Sequence, residues 1–341
     1  MSLLMKCANL LKNIEMNMGV DTFKSVYFIG AGGIGMSALV RYFLSKNKRV
    51  GGYDKTPSEL TDKLIEEGAE IHYQDNIEIV SDDFKDPETT LVIYTPAIPE
   101  DHSEWCYFKD NGFQIMKRSQ VLGMLTKTSK GLCVAGTHGK TTTSTMAAHL
   151  LHNSHVECNA FLGGISKNYG TNLLLSEKSD YVVIEADEFD RSFHWLTPYI
   201  SVITSTDADH LDIYGTKEEY LESFRNYTSL IANDGALIIH EGLEMKPDVQ
   251  PGTRIYSKSR EKGDFHAKNI RIGNGEIIFD FVSPFGDIND VILGVPVAIN
   301  IDNGIAAIAI AQRSGATKEK IKKAMATFKG VSQKVGTKSK A

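Results

Sequence analysis

Twice along this chain, a short apolar run ends in a glycine-rich loop that leads into a helix-like pattern. The first segment is SVYFIGAGGIGMSALVRYFL, beginning at Ser25, and the second is GLCVAGTHGKTTTSTMAAHLL, beginning at Gly131. A buried strand, a tight turn and an amphipathic helix form the repeating unit of parallel α/β sheets. Because helix N-termini after such turns attract phosphate, the pattern predicts an α/β protein with two phosphate-binding loops.

The composition excludes several classes of function. The chain has 341 residues, enough for about two domains. Its net charge of -6 gives no broad basic face for nucleic acid, and no apolar run is long enough to cross a membrane. The four cysteines lack C-x-x-C spacing. We therefore expect neither a metal cage nor a disulfide framework, and a reducing cytoplasm fits best.

Alternating strand-like and helix-like segments divide the chain into two α/β domains. Residues 25–126 are predicted to form a Rossmann-like parallel sheet, and residues 127–330 a P-loop-type α/β domain. The polar interval TKTSKG, at 126–131, is interpreted as the break between them. Residues 1–24 are interpreted as a helical extension and residues 331–341 as a frayed polar tail.

Two local motifs predict individual turns. Ser58 precedes a helix-like segment as an N-cap, and Gly68 follows it as a stop. Later, Asn274-Gly275 stands between two strand-like runs and predicts a tight hairpin.

The first glycine loop satisfies G-x-G-x-x-G between a strand and a helix. Its glycines allow a tight turn and a close approach of phosphate to the helix amides. Asp54 ends the next strand, where a dinucleotide enzyme would hold the ribose diol. A turn that only packs the strand against the helix would explain the same glycines without a ligand. The residues of this candidate site are Gly30, Ala31, Gly32, Gly33, Ile34 and Gly35.

The second glycine loop is a variant of the G-x-x-x-x-G-K-[ST] phosphate loop. Val134 occupies the position of the first glycine. The loop amides can still surround phosphate groups, Lys140 can reach the outer phosphates, and the Thr141 hydroxyl can bind Mg²⁺. The predicted ATP-binding residues are Gly136, Thr137, His138, Gly139, Lys140, Thr141 and Thr142.

Acidic side chains end two further strands of the second domain. Parallel strands place their carboxyl ends along one edge of the sheet, where the second loop also opens. Carboxylates at that edge can hold Mg²⁺ that bridges the oxygens of ATP. A helix-capping Glu185 and a hydrogen-bonded His210 are the structural alternatives. The cluster contains Glu185, Asp187, Glu188, Asp207, Asp209, His210 and Asp212.

Taken together, these motifs resemble the Mur ligase family. The resemblance is carried by GTHGKTTT, EADEFDRSF and TDADHLDIYG, and also by VYFIGAGGIGMSAL, GYDKTPSELTDKL and FLGGISKNYGTNLL. These motifs follow one another in family order between residues 25 and 330. The resemblance implies that the first loop binds the diphosphate of a UDP-sugar rather than NAD, while the second binds ATP.

The resemblance also implies individual roles. Lys140, Glu185 and His210 would be catalytic, with Glu185, His210 and Thr141 as metal ligands. Ile299 replaces the histidine that usually precedes the family's first adenine-site asparagine, so helix capping is the alternative role for both asparagines. The adenine-site residues would be Asn300 and Asn303, and further UDP-sugar contacts would be Asp54, Thr95, Thr171 and Asn172.

The implied reaction belongs to peptidoglycan precursor synthesis. With Mg²⁺, ATP would phosphorylate the lactyl carboxylate of UDP-N-acetylmuramate, and the amine of L-alanine would displace phosphate from the acyl phosphate. No protein nucleophile is needed. In the family, a third, C-terminal domain carries most of the amino-acid site. By the order of the motifs, this chain ends where that domain would begin. We therefore expect nucleotide binding but negligible ligation by these 341 residues.

Three alternatives remain at the level of sequence. A ligase that attaches a preformed peptide to the same sugar shares both loops. A non-catalytic UDP-sugar and ATP binding module fits the motifs too. An NAD-dependent oxidoreductase fits the first loop, although no residue after Asp54 suggests a site for hydride transfer.

Overall fold

The computed structural model describes residues 22–332, which form two compact units, one ending at Met124 and the other beginning at Leu125. The extension at 1–24 lies almost entirely outside the described residues, as does the tail after Ser332.

The first unit is a five-stranded parallel sheet in the order β3-β2-β1-β4-β5. The central strand β1 is fully buried, as expected for a strand covered on both faces. The strands are β1 Ser25–Ile29, β2 Arg49–Tyr53, β3 Glu70–His72, β4 Thr90–Tyr94 and β5 Gln114–Lys117. The helices are α1 Ile34–Ser45, α2 Glu59–Glu66 and α3 Ser103–Asp110, and α4 Arg118–Thr128 begins in this unit and ends beyond Met124.

The predicted turn residues act as expected in this unit. The Ser58 hydroxyl accepts a hydrogen bond from the Thr61 amide at 3.2 Å and caps α2, and Gly68 beyond that helix has φ +109°.

The polar interval at 126–131 is not an irregular linker, because α4 continues to Thr128 and the next strand begins at Lys130. The polar residues of this interval have no apolar periodicity, so the sequence pattern does not show where the helix ends and the strand begins.

The second unit contains a seven-stranded sheet in the order β13-β12-β11-β6-β10-β7-β9. It is parallel except for the edge pair β7 and β9. Its strands are β6 Lys130–Ala135, β7 Asn159–Phe161, β9 Leu173–Leu174, β10 Tyr181–Ala186, β11 Pro198–Ile203, β12 Ala236–His240 and β13 Arg254–Lys258. Its helices are α5 Lys140–His152, α6 Leu211–Tyr214, α7 Lys217–Thr228, α8 Ile299–Arg313 and α9 Lys318–Thr327.

An antiparallel sheet completes this unit. Strands β14 His266–Gly273 and β15 Glu276–Val282 form the predicted hairpin, with φ values of +52° at Asn274 and +76° at Gly275. A third strand, β16 Ile288–Ile292, pairs with β15 and was not predicted. The side chains of this sheet join α5, α8 and α9 in the main core of the second unit.

The start of the predicted tail is ordered instead of frayed. Val331–Ser332 forms strand β17, which pairs with β8, Ile165–Ser166. Within residues 22–332, every helix is too short or too polar to span a bilayer.

Candidate functional site

The first glycine loop is held by backbone hydrogen bonds to its own sheet. The amides of Gly30 and Ala31 donate to the Tyr53 carbonyl at 2.8 and 2.9 Å. The amide of Gly32 donates to the Asp54 carboxylate at 2.7 Å, and the other Asp54 oxygen accepts from the Thr56 amide at 3.1 Å. Asp54 therefore shapes the loop, and its hydrogen bond with Gly32 was not predicted. Its contact with a ribose stays a prediction.

The glycines of this loop differ in how closely their surroundings approach them. A Cβ at Gly30 would lie 2.5 Å from Thr95, and a Cβ at Gly32 would lie 2.7 Å from Thr61. At Gly33, which directly precedes α1, the nearest atoms would be 3.7 Å away. Gly33 is thus free of internal crowding, and it lines an adjacent cleft.

That cleft, of about 550 Å³, lies at the carboxyl ends of β1, β2 and β4. Parallel α/β sheets bind ligands at this edge. Its lining includes Gly30, Gly33, Asp54, Lys55, Thr95 and His102. The remaining loop residues, Ala31, Gly32, Ile34 and Gly35, lie beside it, and Gly35 packs against the Arg118 guanidinium.

A buried polar cluster in the first unit was not predicted. The Tyr27 hydroxyl donates to the fully buried Glu104 carboxylate at 2.7 Å, and His72 lies 3.6 Å from the same carboxylate. Burial raises the pKa of Glu104 to about 7, although the hydrogen bonds from Tyr27 and the Asn76 amide lower it. No local pattern joins these residues, because they come from β1, β3 and α3.

The second glycine loop connects β6 to α5 and is anchored to the segment after β11. The Thr137 hydroxyl donates to the Asp207 carbonyl at 2.7 Å, and the His138 amide donates to Ser205 at 3.0 Å. Gly136 and Gly139 have φ values of +124° and +80°, which favour glycine. Helix α5 then begins at Lys140, so its first amides face the loop.

Lys140 is fixed by the loop and by one acid of the predicted cluster. Its ammonium donates to the Gly136 carbonyl at 2.8 Å and to the two oxygens of Glu188 at 2.8 and 2.7 Å. Glu188 was predicted to lie at this edge of the sheet, but its pairing with Lys140 was not predicted.

Thr141 and Glu185, two of the predicted metal ligands, lie together. The Thr141 hydroxyl donates to one Glu185 oxygen at 3.1 Å, while the other accepts from the Gly163 amide at 2.8 Å and from Ser144 at 3.1 Å. A Cβ at Gly163 would lie 2.5 Å from this carboxylate. Burial raises the pKa of Glu185, and these hydrogen bonds offset part of the effect.

His210 does not join that pair. It precedes α6 with φ +53°, its ring packs edge-on against Phe189 at 5.2 Å, and it makes no hydrogen bond to Thr141 or Glu185. Across residues 22–332 there is no cluster of three or more acidic, histidine or cysteine side chains arranged to hold a metal. The Thr141 and Glu185 oxygens still fit Mg²⁺, which usually takes one or two protein ligands, substrate phosphates and water.

Asn300 and Asn303 lie near the start of α8, and Asn303 contacts the phosphate loop and the first turn of α5. Asn303 accepts from the Thr143 hydroxyl at 3.2 Å and donates to Asn300 at 3.1 Å. A Cβ at Gly139 would lie 2.5 Å from the Asn303 oxygen. The N-cap of α8 is Ala298, so neither asparagine is the cap. Thr142 lies half-buried in the first turn of α5.

The predicted UDP-sugar contacts fall in both units. Thr95 lines the cleft of the first unit. Thr171 and Asn172 belong to the second unit, before β9, where Thr171 accepts from the Leu173 amide at 3.3 Å and Asn172 is fully buried. Their contact with a sugar stays a prediction.

Two family profiles match almost the whole described chain. Residues 25–130 match "Mur ligase family, catalytic domain", and residues 134–311 match "Mur ligase middle domain".

Curated relatives carry one activity in their names. The chain is 72% identical over 323 residues to the UDP-N-acetylmuramate–L-alanine ligase of Phocaeicola vulgatus, and the match covers 95% of this chain and 70% of that protein. It is 62% identical over 314 residues to the ligase of the same name from Parabacteroides distasonis, covering 92% and 68%.

Solved structures share the fold. The UDP-N-acetylmuramate–alanine ligase of Thermotoga maritima is 26% identical with a TM-score of 0.77, covering 90% of this chain and 69% of that one. A ligase for UDP-N-acetylmuramate and L-alanyl-γ-D-glutamyl-meso-diaminopimelate from Neisseria meningitidis has a TM-score of 0.79, covering 91% and 99%. At 22% identity, the second likeness concerns the fold alone.

Proposed function

The chain belongs to the Mur ligase family, and we propose that it is an ATP-dependent ligase that joins L-alanine to the lactyl carboxylate of UDP-N-acetylmuramate. The observation that carries the proposal is the phosphate loop after β6, where Lys140 and Thr141 begin α5 and the Thr141 hydroxyl lies 3.1 Å from the Glu185 carboxylate. The names of the relatives at 72% and 62% identity support L-alanine as the acceptor over a preformed peptide.

The first unit supplies the UDP-sugar site. The cleft beside Gly33 places the start of α1 at one end, where a diphosphate would meet helix amides and the positive end of the helix dipole. Thr95 and Lys55 also line this cleft and offer a hydroxyl and a cation to the ligand. Residues 25–126 form the UDP-sugar domain in this proposal and residues 127–330 the ATP domain, both acting in the cytoplasm.

The second unit positions ATP for attack by the sugar carboxylate. Lys140 offsets negative charge on the transferring phosphoryl group, and Asn303 holds the phosphate loop against α8. Thr141 and Glu185 would hold Mg²⁺, which when bound neutralises phosphate charge and orients the oxygens. The resulting acyl phosphate reacts with the amine of L-alanine, and phosphate leaves. His210 is proposed as a further metal ligand, because its position in the sequence matches that of a metal ligand in the family motif.

Calorimetric titration of the purified protein tests the UDP-sugar assignment. UDP-N-acetylmuramate should bind without ATP, and more tightly than NADH. Gly33→Val should abolish this binding while the protein stays folded, because position 33 has extended backbone and room for a Cβ. Unchanged affinity in Gly33→Val would refute the cleft assignment. NADH binding tighter than the UDP-sugar would favour the oxidoreductase alternative instead.

A further inference from the structure

The Lys140 ammonium already has hydrogen-bond acceptors around it. A lysine ammonium has three N–H groups, and three acceptors surround this one: the Gly136 carbonyl and both oxygens of Glu188. A phosphate oxygen can therefore bind Lys140 only if the ammonium gives up or shares one of these bonds.

Glu188 cannot easily release its partner. Its side chain is 2% exposed, and among residues 22–332 the Lys140 ammonium is the only hydrogen-bond donor to its carboxylate. The Glu188 backbone is also fixed, because its carbonyl accepts from the Tyr214 hydroxyl and from the Arg191 amide. A buried carboxylate that loses its partner is strongly unfavourable. A nucleotide that draws Lys140 away thus leaves an unpaired negative charge beside its own phosphates.

A second carboxylate adds to this charge. The Glu185 carboxylate accepts a hydrogen bond from Thr141, the residue directly after Lys140. Two acids therefore flank the point where the outer phosphates would lie. Like charges brought this close destabilise a complex, whereas a divalent cation that arrives with the nucleotide offsets them.

We propose that Glu188 is a specificity-determining residue that makes the phosphate loop select cation-bound over metal-free nucleotide, because its carboxylate retains Lys140 until a cation compensates the charge. This inference rests on the proposed function only in taking the loop as a nucleotide site.

The test is calorimetric titration with ATP, once with Mg²⁺ and once with a chelator, in wild type and Glu188→Gln. The glutamine keeps the shape and an acceptor oxygen but removes the charge. We expect the variant to bind metal-free ATP about tenfold more tightly than wild type, a change of about 1.4 kcal/mol. Its affinity for Mg-ATP should change much less. Glu222→Gln is the matched control, because the ion pair of Glu222 with Arg225 lies on the exposed face of α7. Metal-free binding that is no tighter in Glu188→Gln would overturn the proposal.

Glu188→Asp provides a second arm that does not depend on the folding of the glutamine variant. It keeps the negative charge, so the preference for cation-bound ATP should persist; its loss would overturn the proposal. If wild type binds no ATP even with Mg²⁺, the proposed function fails. If wild type binds both forms equally well, only the inference about Glu188 fails.

Discussion

At the level of single residues, the Lys140–Glu188 pair predicts two separable effects of one substitution. Lys140→Ala removes a charged hydrogen bond to phosphate, so Mg-ATP affinity should fall about tenfold or more. The same change leaves Glu188 buried without a partner, which should lower the free energy of unfolding by on the order of 3 kcal/mol. Titration calorimetry and chemical denaturation measure the two effects.

The double variant separates stability from binding. Lys140→Ala combined with Glu188→Gln should recover most of the lost stability, because no buried charge remains. It should not recover Mg-ATP affinity, because the ammonium that contacts phosphate is still missing. Full Mg-ATP affinity in Lys140→Ala would show that this loop has a structural role only.

Glu104 predicts a pH dependence of stability. Burial raises its pKa from 4.5 to about 7 in the folded protein. The folded state therefore holds this proton more tightly than the unfolded state. Its contribution to the free energy of unfolding is fully present at low pH and is lost as pH rises from about 4.5 to 7. In denaturation experiments, wild type should lose stability relative to Glu104→Gln as the pH rises across that window.

The comparison with Glu104→Gln is needed because the neighbouring imidazoles act in the opposite direction. Burial lowers the pKa of His72 and of His102, so their contributions to stability rise with pH. Both histidines are present in wild type and in Glu104→Gln, so the difference between the two proteins isolates Glu104. A stability difference that does not vary with pH would contradict the raised pKa of Glu104.

Single residues also mark the limit of what the sequence predicts. Thr141 and Glu185 were predicted at one sheet edge, because each lies at the carboxyl end of a parallel strand or just beyond it, and they lie together. The Asp54 contact with Gly32 and the Lys140 contact with Glu188 were not predicted. Each depends on which of several nearby polar groups a side chain reaches, and strand order does not determine that choice.

At the level of elements, the hairpin turn offers a test of backbone conformation alone. A Cβ at either Gly273 or Gly275 would have no atom within 4 Å, but of the two only Gly275 has positive φ, at +76°. Gly275→Ala should therefore destabilise the protein by about 1 kcal/mol, since L-residues disfavour the left-handed region. Gly273→Ala, the matched control, should be nearly neutral. Equal unfolding midpoints in denaturant would contradict this explanation of the turn.

Elements were predictable where their pattern is long or punctuated. The β14–β15 hairpin has alternating residues and an Asn-Gly turn, and α2 has a capping serine. Strand β16 has five residues, two of which are the adjacent polar residues Asn289 and Asp290, and β17 has only two residues. Such short strands are specified by pairing with a distant partner, which a local pattern cannot reveal.

At the level of the whole molecule, two glycine loops occur because the proposed reaction has two nucleotide substrates. The first loop lies at the edge of a five-stranded sheet and the second at the edge of a seven-stranded sheet. The order of elements was predictable from the alternation of strands and helices, and ATP at the second loop was predictable from its phosphate-loop motif, whereas the UDP-sugar at the first loop came from family resemblance. The first glycine pattern alone predicted a dinucleotide, with a ligand-free packing turn as the alternative, and only the family resemblance replaced the dinucleotide by a UDP-sugar.

Isotope scrambling in ATP tests most directly whether the two sites perform one reaction. In ATP labelled with ¹⁸O at the β,γ-bridge, reversible phosphorylation of the sugar carboxylate lets the β-phosphate of bound ADP rotate, so label moves to non-bridging positions. We expect scrambling that requires UDP-N-acetylmuramate, does not require L-alanine, and disappears in Lys140→Ala. Scrambling without the UDP-sugar, or none while both nucleotides are bound, would contradict acyl phosphate formation by this protein.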